Sequence, residues 1–156
     1  MVLGVASVSG WWLGESRRAS APQARVIDAI DGDTIVVAFA DGSTDTVRIL
    51  GVDTPETHHP RKPVQCFGPE ASAYTAARLT GRLVRLEGDV EERDIYGRRL
   101  AYVILDGRRF DDELLRLGYG RLLVIAPNRA HSRAMLDAEL DARRHGRGLW
   151  SECANA

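Results

Sequence analysis

The sequence predicts an α+β protein that is mainly β, a small β-barrel with helices. Five short runs have the apolar and β-branched composition of strands. Asp-Gly pairs follow the first two runs at Asp31-Gly32 and Asp41-Gly42, and such pairs between apolar runs are a strong signal for a hairpin. Helical patterns occur among the runs without the regular strand–helix alternation of a parallel sheet, which favours a barrel with added helices.

The first three runs, at 24–30, 34–40 and 44–50, predict an antiparallel meander because the two Asp-Gly turns are short. Two further runs, at 83–86 and 99–105, predict strands four and five, and Asp106-Gly107 follows the last of them as a turn.

Three segments predict helices. The first begins at Gly68-Pro69-Glu70, with proline in the first turn and an acid at the positive end of the helix, and it ends at Thr80-Gly81. The second covers 110–117 and ends at Gly118, and the third covers 130–145 with one apolar face and ends at Gly146.

The chain has 156 residues, which suits one domain. We expect the domain at 24–150, a leader at 1–23 and a tail at 151–156. The leader is apolar and rich in small residues but lacks a positively charged start, so a signal-peptide remnant and a plain leader both stay open. No apolar stretch is long enough to span a membrane. We expect no membrane partner after processing, and a monomer. The net charge of −1 means that any phosphate binding must come from a local cluster.

Acids and arginines occur where predicted strands begin and end. They are Asp33, Arg48, Asp53, Glu56 and Arg98. Phosphodiester hydrolysis needs a hard cation with oxygen ligands, a carboxylate that activates water, and arginines that stabilise the growing phosphate charge. This set suffices for that chemistry. Each residue also has an ordinary alternative, because Asp33 fits a simple turn and the arginines fit surface ion pairs.

The order of the motifs resembles the staphylococcal nuclease (thermonuclease) family. The matching segments are VIDAIDGDT at 26–34, VRILGVDTPE at 47–56, FGPEA at 67–71, DIYGRRLAY at 94–102 and GLW at 148–150. Several long matches in family order are far more specific than one short motif. The resemblance covers about residues 24–150 and implies a five-stranded OB-fold barrel with about three α-helices.

The resemblance also implies a function. It implies a calcium-dependent phosphodiesterase that cuts DNA and RNA to 3′-phosphate and 5′-hydroxyl ends. Ca²⁺ would be held by the side chains of Asp33 and Asp53 and by the backbone carbonyl of Thr54. Glu56 would be the general base, and Arg48 and Arg98 would bind the scissile phosphate. The family's base-stacking tyrosines are missing, because residues 122–127 contain no aromatic side chain, which predicts weaker substrate binding.

Two other functions stay open at this level. OB folds commonly bind nucleic acids without cutting them, so a non-catalytic binding module is the main alternative. A zinc protein using His58, His59 and Cys66 is the second, although adjacent histidines rarely converge on one ion and a fourth ligand is not evident.

The two cysteines, Cys66 and Cys153, match no zinc spacing. The family pattern implies that Trp150 docks on the domain, which would bring the tail back towards the first helix. On that basis we expect a Cys66–Cys153 disulfide in a secreted protein. The alternative is two unrelated thiols.

Overall fold

The computed structural model describes residues 21–57 and 63–153. Most of the predicted leader, residues 1–20, and the last three residues of the tail lie outside the described residues. His58 and His59 also lie outside them.

The described residues form a β-barrel flanked by helices. The strands are β1 (Gln23–Asp31), β2 (Thr34–Ala38), β3 (Thr44–Ile49), β4 (Gly51–Asp53), β5 (Leu83–Glu87), β6 (Arg99–Leu105), β7 (Arg108–Arg109) and β8 (Arg121–Leu123). The helices are α1 (Gly68–Leu79), α2 (Phe110–Leu117), α3 (Ser132–Arg144) and the short α4 (Leu149–Glu152).

Five strands close the barrel in the order β3-β2-β1-β5-β6, and β6 returns to pair with β3. The β3–β6 pair is parallel and the other four are antiparallel. The meander and both later strands are confirmed, as is the mainly β OB-fold architecture with three principal helices.

Four short elements were not predicted from the sequence: β4, β7, β8 and α4, which are only two to four residues long. Strands β4 and β8 form a separate antiparallel pair in which Asp53 lies opposite Arg121. Gly51 opens β4 with φ of 77°, and a Cβ atom there would lie 2.2 Å from the Met135 side chain. Glycine thus allows the chain to turn sharply against α3 at the start of the strand that ends at Asp53.

The core lies inside the barrel and extends beneath the helices. Its largest fully buried side chains include Tyr102, Phe110, Ile35, Ile49, Leu79 and Met135. No helix among the described residues is long and apolar enough to cross a membrane.

The predicted disulfide is confirmed. Cys66 and Cys153 are bridged, with their Cα atoms 5.9 Å apart. The bridge ties the residues just before α1 to the residue just after α4, and it therefore fixes the end of the described chain to the body of the domain.

Candidate active site

One cleft of about 360 Å³ brings together all six residues predicted for the site. It lies where the β1–β2 turn, the segment after β4 and the turn before β6 meet. Its lining contains Asp33, Arg48, Asp53, Thr54, Glu56 and Arg98, together with Ile30, Asp31 and Thr34. Four carboxyl groups and two guanidinium groups therefore face one small space.

Asp33 is held rigidly in the hairpin turn. Its side chain is only 10% exposed. The Thr54 backbone N–H donates a hydrogen bond to Oδ2 at 2.9 Å, and the Thr34 hydroxyl donates to Oδ1 at 3.0 Å. A carboxylate that accepts such hydrogen bonds keeps one orientation, so Asp33 is preorganised to present its charge to the cleft.

Gly32 allows Thr54 to approach the hairpin. A Cβ atom at position 32 would lie 2.7 Å from the Thr54 hydroxyl oxygen, so any larger residue would push the two segments apart. The Thr54 side-chain oxygen is buried and has no hydrogen-bond partner in the described part of the chain. The close packing places Thr54 directly beside Asp33.

Arg48 links the two aspartates. Its Nη2 atom lies 3.2 Å from Asp33 Oδ2 and 3.0 Å from Asp53 Oδ1. Its Nη1 atom donates to the carbonyl oxygens of Ile49 and Val52 at 2.8 and 2.7 Å. The guanidinium group is thus fixed within the cleft, and Nη2 bridges two carboxylates.

Glu56 is positioned through its backbone. The Glu56 N–H donates to Gln65 Oε1 at 2.8 Å, and the Gln65 N–H donates to the Glu56 carbonyl at 3.0 Å. Gln65 is the neighbour of the disulfide-bonded Cys66. Gln65 therefore joins the segment that carries Glu56 to a covalently anchored part of the chain.

Asp31 belongs to the same cluster. Its Oδ1 atom accepts hydrogen bonds from the Thr57 hydroxyl at 2.8 Å and from the Gly32 N–H at 3.2 Å. Burial raises the pKa of Asp31 above its usual value, and a hydrogen bond with the Glu56 carboxyl group raises it further. Asp31 and Glu56 thus interact directly, and Asp31 takes up a proton more readily than an isolated aspartate.

Arg98 is held by the turn that precedes β6. Its Nε atom donates to Asp94 Oδ2 at 2.7 Å, and the Tyr96 ring centre lies 5.4 Å from its guanidinium carbon. Burial alone would raise the pKa of the Asp94 carboxyl, but hydrogen bonds and charge from Arg98 outweigh it and lower that pKa. This pairing uses Nε and leaves the terminal nitrogens without a partner among the described residues.

A second groove, of about 410 Å³, shares Arg48 and Arg98 with the cleft, and we call it the aliphatic groove. Leu123 and Ile125 from the predicted tyrosine-free stretch line it, together with Tyr96. The groove wall formed by residues 122–127 is therefore aliphatic, and it offers no aromatic ring on which a base could stack.

The donor set of the cleft suits a hard cation. Asp33 and Asp53 supply carboxylate oxygens to one space, and such oxygens are the ligands that Ca²⁺ prefers. Within the described ranges, no group of three or more His, Cys, Asp or Glu side chains is arranged to hold a metal ion. A cation in the cleft would therefore complete its shell with backbone oxygens and water.

The structure gives no support to zinc binding through Cys66. A cysteine binds zinc only as a thiolate, whereas the Cys66 sulfur is bonded to Cys153. The other two residues of that hypothesis, His58 and His59, lie outside the described residues.

Three residues that contribute to the cleft or its surroundings were not predicted from the sequence. Asp31 was interpreted only as part of a hairpin turn, although a second acid two residues before Asp33 was a usable signal. Thr57 and Gln65 act through local hydrogen bonds of a loop that lacks periodicity. No sequence pattern marked their partners.

The sequence was also compared with known protein families and with individual proteins. The family model described as "Staphylococcal nuclease homologue" matches residues 46–152. The thermonuclease of Staphylococcus hyicus is 43% identical over 127 residues, which cover 81% of this chain and 75% of that protein. The thermonuclease of Staphylococcus intermedius is 42% identical over 121 residues, covering 78% and 71% respectively.

A third relative is the Endonuclease YncB of Bacillus subtilis (strain 168). It is 40% identical over 126 residues, which cover 80% of this chain and 59% of that protein. All three names describe nucleases, which favours the enzyme over the non-catalytic binding module. The chain belongs to the staphylococcal nuclease family and is a hydrolytic nuclease that acts on phosphodiester bonds.

Proposed function

We propose that the chain is a calcium-dependent phosphodiesterase that cuts DNA and RNA strands to 3′-phosphate and 5′-hydroxyl ends. The observation that carries the proposal is the single cleft that contains Asp33, Arg48, Asp53, Thr54, Glu56 and Arg98. Their separate ordinary roles would not require them to converge. Metal-assisted hydrolysis of a phosphodiester uses these chemical groups together in one place.

Asp33 and Asp53, with the Thr54 carbonyl oxygen, would hold the ion. The preorganised Asp33 carboxylate supports this role, because hydrogen bonds from Thr34 and Thr54 fix its direction. When bound, calcium supplies neutralising charge to the phosphate and orients water for attack. A site with two carboxylate side chains fits weak binding, at about 10⁻⁴–10⁻³ M, which is typical of extracellular sites.

Glu56 would act as the general base. It would accept a proton from the attacking water while the water oxygen forms a bond to phosphorus. The bond from phosphorus to the 5′ oxygen then breaks, and that oxygen takes a proton from solvent water and leaves as a hydroxyl group, while Glu56 returns its proton to solvent. The phosphate remains on the 3′ side. The paired hydrogen bonds between Glu56 and Gln65 support this role, because they fix the backbone that carries the carboxylate.

Arg48 and Arg98 would stabilise the phosphate oxygens as negative charge builds. Arg98 is already oriented by Asp94 through Nε, and its terminal nitrogens are suited to a bidentate contact. Arg48 must first exchange its contacts with Asp33 and Asp53 for contacts with the phosphate. Occupation of those two carboxylates by a cation would favour that exchange.

We also propose secretion into an oxidising, calcium-rich compartment. The Cys66–Cys153 bridge supports this location, because disulfides persist in oxidising compartments and are rare in the cytosol.

The test is cleavage of an end-labelled single strand, first DNA and then RNA, with calcium, with magnesium and with excess chelator. We expect full activity only with calcium, and products with 3′-phosphate and 5′-hydroxyl ends. Magnesium should support little turnover because it demands a tighter octahedral geometry. Full activity in chelator, or products with 5′-phosphate ends, would overturn the proposal.

A further inference from the structure

We propose that Arg121 and the groove beside it bind a second phosphate of the substrate strand, next to the phosphate that is cut. This inference rests on the proposed function, because it takes the cleft to hold the scissile phosphate. We call this feature the Arg121 groove. It is lined by Asp53, Thr54, Pro55, Gln65, Cys66, Arg121, Leu149 and Cys153.

The Arg121 groove adjoins the cleft directly. It has a volume of about 350 Å³ and shares Asp53 and Thr54 with the cleft. The aliphatic groove described above shares a different pair, Arg48 and Arg98. The cleft therefore continues into two separate grooves, each reached past a different pair of site residues.

A strand cut at an internal bond must leave the cleft in two directions, one on each side of the scissile phosphate. The aliphatic groove offers one path beside the two arginines. The Arg121 groove offers the other beside Asp53 and Thr54. Since every nucleotide carries a phosphate, a strand that follows this path brings a negative charge into the Arg121 groove whatever its sequence.

Arg121 has the chemistry to receive that charge. It is exposed, and its guanidinium group has no hydrogen bond or ion pair with any of the residues that the structure describes. Its guanidinium carbon lies 4.6 Å from the centre of the Trp150 ring. Packing on the ring restrains the side chain while the in-plane N–H donors remain available, and this arrangement suits a bidentate phosphate contact.

The fold sets the distance between Arg121 and the cleft. Arg121 lies opposite Asp53 in the β4–β8 pair, so backbone hydrogen bonding fixes it beside a residue of the cleft. The Cys66–Cys153 bridge forms part of the wall of the groove. The groove thus has a fixed cationic side and a covalently fixed wall.

Arg143 provides a matched control. Its guanidinium carbon lies 4.2 Å from the centre of the same Trp150 ring, but it does not line the Arg121 groove. Arg143 also forms an ion pair with Glu139. A change at Arg143 therefore removes a similar ring contact without removing a cation from the proposed path.

The test compares Arg121→Gln, Arg121→Lys and Arg143→Gln on two substrates, a long single DNA strand and a dinucleotide with one phosphodiester bond. For Arg121→Gln on the long strand, we expect KM to rise by about three- to tenfold, because one charge-assisted phosphate contact is lost. The value of kcat should stay unchanged. The dinucleotide should show no change, because it has no second phosphate. Arg121→Lys should keep most of the affinity, and Arg143→Gln should match the wild type.

Salt dependence gives a second measurement. Loss of one phosphate contact on a single strand should reduce the slope of log affinity against log salt by about 0.7. Equal losses on both substrates, an unchanged slope, or the same effect from Arg143→Gln would overturn the inference. Failure of the proposed function would look different, because Arg48 and Arg98 variants would then leave kcat unchanged on both substrates.

Discussion

Arg48 Nη2 lies 3.0 Å from Asp53 Oδ1, so a guanidinium group contacts a carboxylate that we assign to calcium binding. The same atom lies 3.2 Å from Asp33 Oδ2. A cation bound by both aspartates and the positive charge of Arg48 would repel each other. The phosphate, in contrast, would attract both. This relationship couples binding of the ion to binding of the substrate.

The first prediction follows from that coupling. Arg48→Gln should bind calcium about three- to tenfold more tightly without substrate, because a neighbouring positive charge is removed. Turnover should nevertheless fall by about 10²–10³-fold, because a transition-state donor is lost. Calorimetric titration with calcium and a cleavage assay measure the two effects. Arg48→Lys keeps the charge and should bind calcium like the wild type. Weaker calcium binding by a folded Arg48→Gln variant would contradict the coupling.

The second prediction concerns Arg98. Arg98→Ala should lower kcat by about 10²–10³-fold with a smaller change in KM, because its contact strengthens as the phosphate gains charge. Steady-state kinetics on a labelled single strand separate the two parameters. Arg82→Ala is a suitable control, since Arg82 pairs with Asp106 and does not line the cleft. A near-wild-type kcat for Arg98→Ala would remove Arg98 from the mechanism.

The third prediction assigns Gln65 as a positioning residue. Gln65→Leu removes the acceptor for the Glu56 N–H, so kcat should fall by about tenfold while KM stays near the wild-type value. Gln65→Glu retains a side-chain oxygen that can accept this hydrogen bond and should restore most of the rate. A purely structural role would instead show as equal losses in both variants, with a lower melting temperature.

The fourth prediction concerns the disulfide. The bridge joins residues separated by 87 positions. Replacing Cys66 and Cys153 together by serine should reduce the free energy of unfolding by about 4 kcal/mol, if chain entropy accounts for the effect. Denaturant unfolding of the double variant against the oxidised wild type measures the loss. The reduced wild type should unfold like the double variant, and equal midpoints for oxidised and reduced protein would contradict the prediction.

The fifth prediction concerns pH. Asp111 is fully buried near the start of α2, and burial raises its pKa to about 6 although Arg109 lies nearby. A raised carboxyl pKa contributes stability that is present below about pH 4 and lost as pH rises through about 6. Asp111→Asn has no such titration. As pH rises from about 4 to about 7, the free energy of unfolding of Asp111→Asn should therefore increase relative to that of the wild type, by on the order of 2–3 kcal/mol.

Unfolding by denaturant at the two pH values measures this difference. Parallel stability curves for the wild type and Asp111→Asn would show that Asp111 keeps an ordinary pKa.

The sequence predicted the barrel because its long strands carry their own signals. Apolar runs and Asp-Gly turns mark β1 to β3, and local pattern also marks α1 to α3. Strands β4 and β8 are three residues each, too short to show a period, and the turn at Gly51 separates β4 from the preceding run. Their pairing joins residues that are distant in sequence, such as Asp53 and Arg121.

The same distinction explains what was predicted of the cleft. Its six principal residues were identified because they occur in family order within long motifs. Gln65 was not identified, because its role consists of hydrogen bonds across a loop without periodicity. Arg121 was not identified either, since its significance depends on Trp150, which comes close only through the fold.

The Cys66–Cys153 bridge has a consequence for the order in which the molecule is assembled. A chain that is still being synthesised and has reached only residue 152 contains every residue of the cleft but not the second cysteine. The wall of the Arg121 groove and the anchor beside Gln65 are therefore completed last, by an oxidant that acts after synthesis has passed residue 153. Formation of this bond is therefore a later step than synthesis of the cleft residues, and it completes the groove that we propose as the path of the substrate strand.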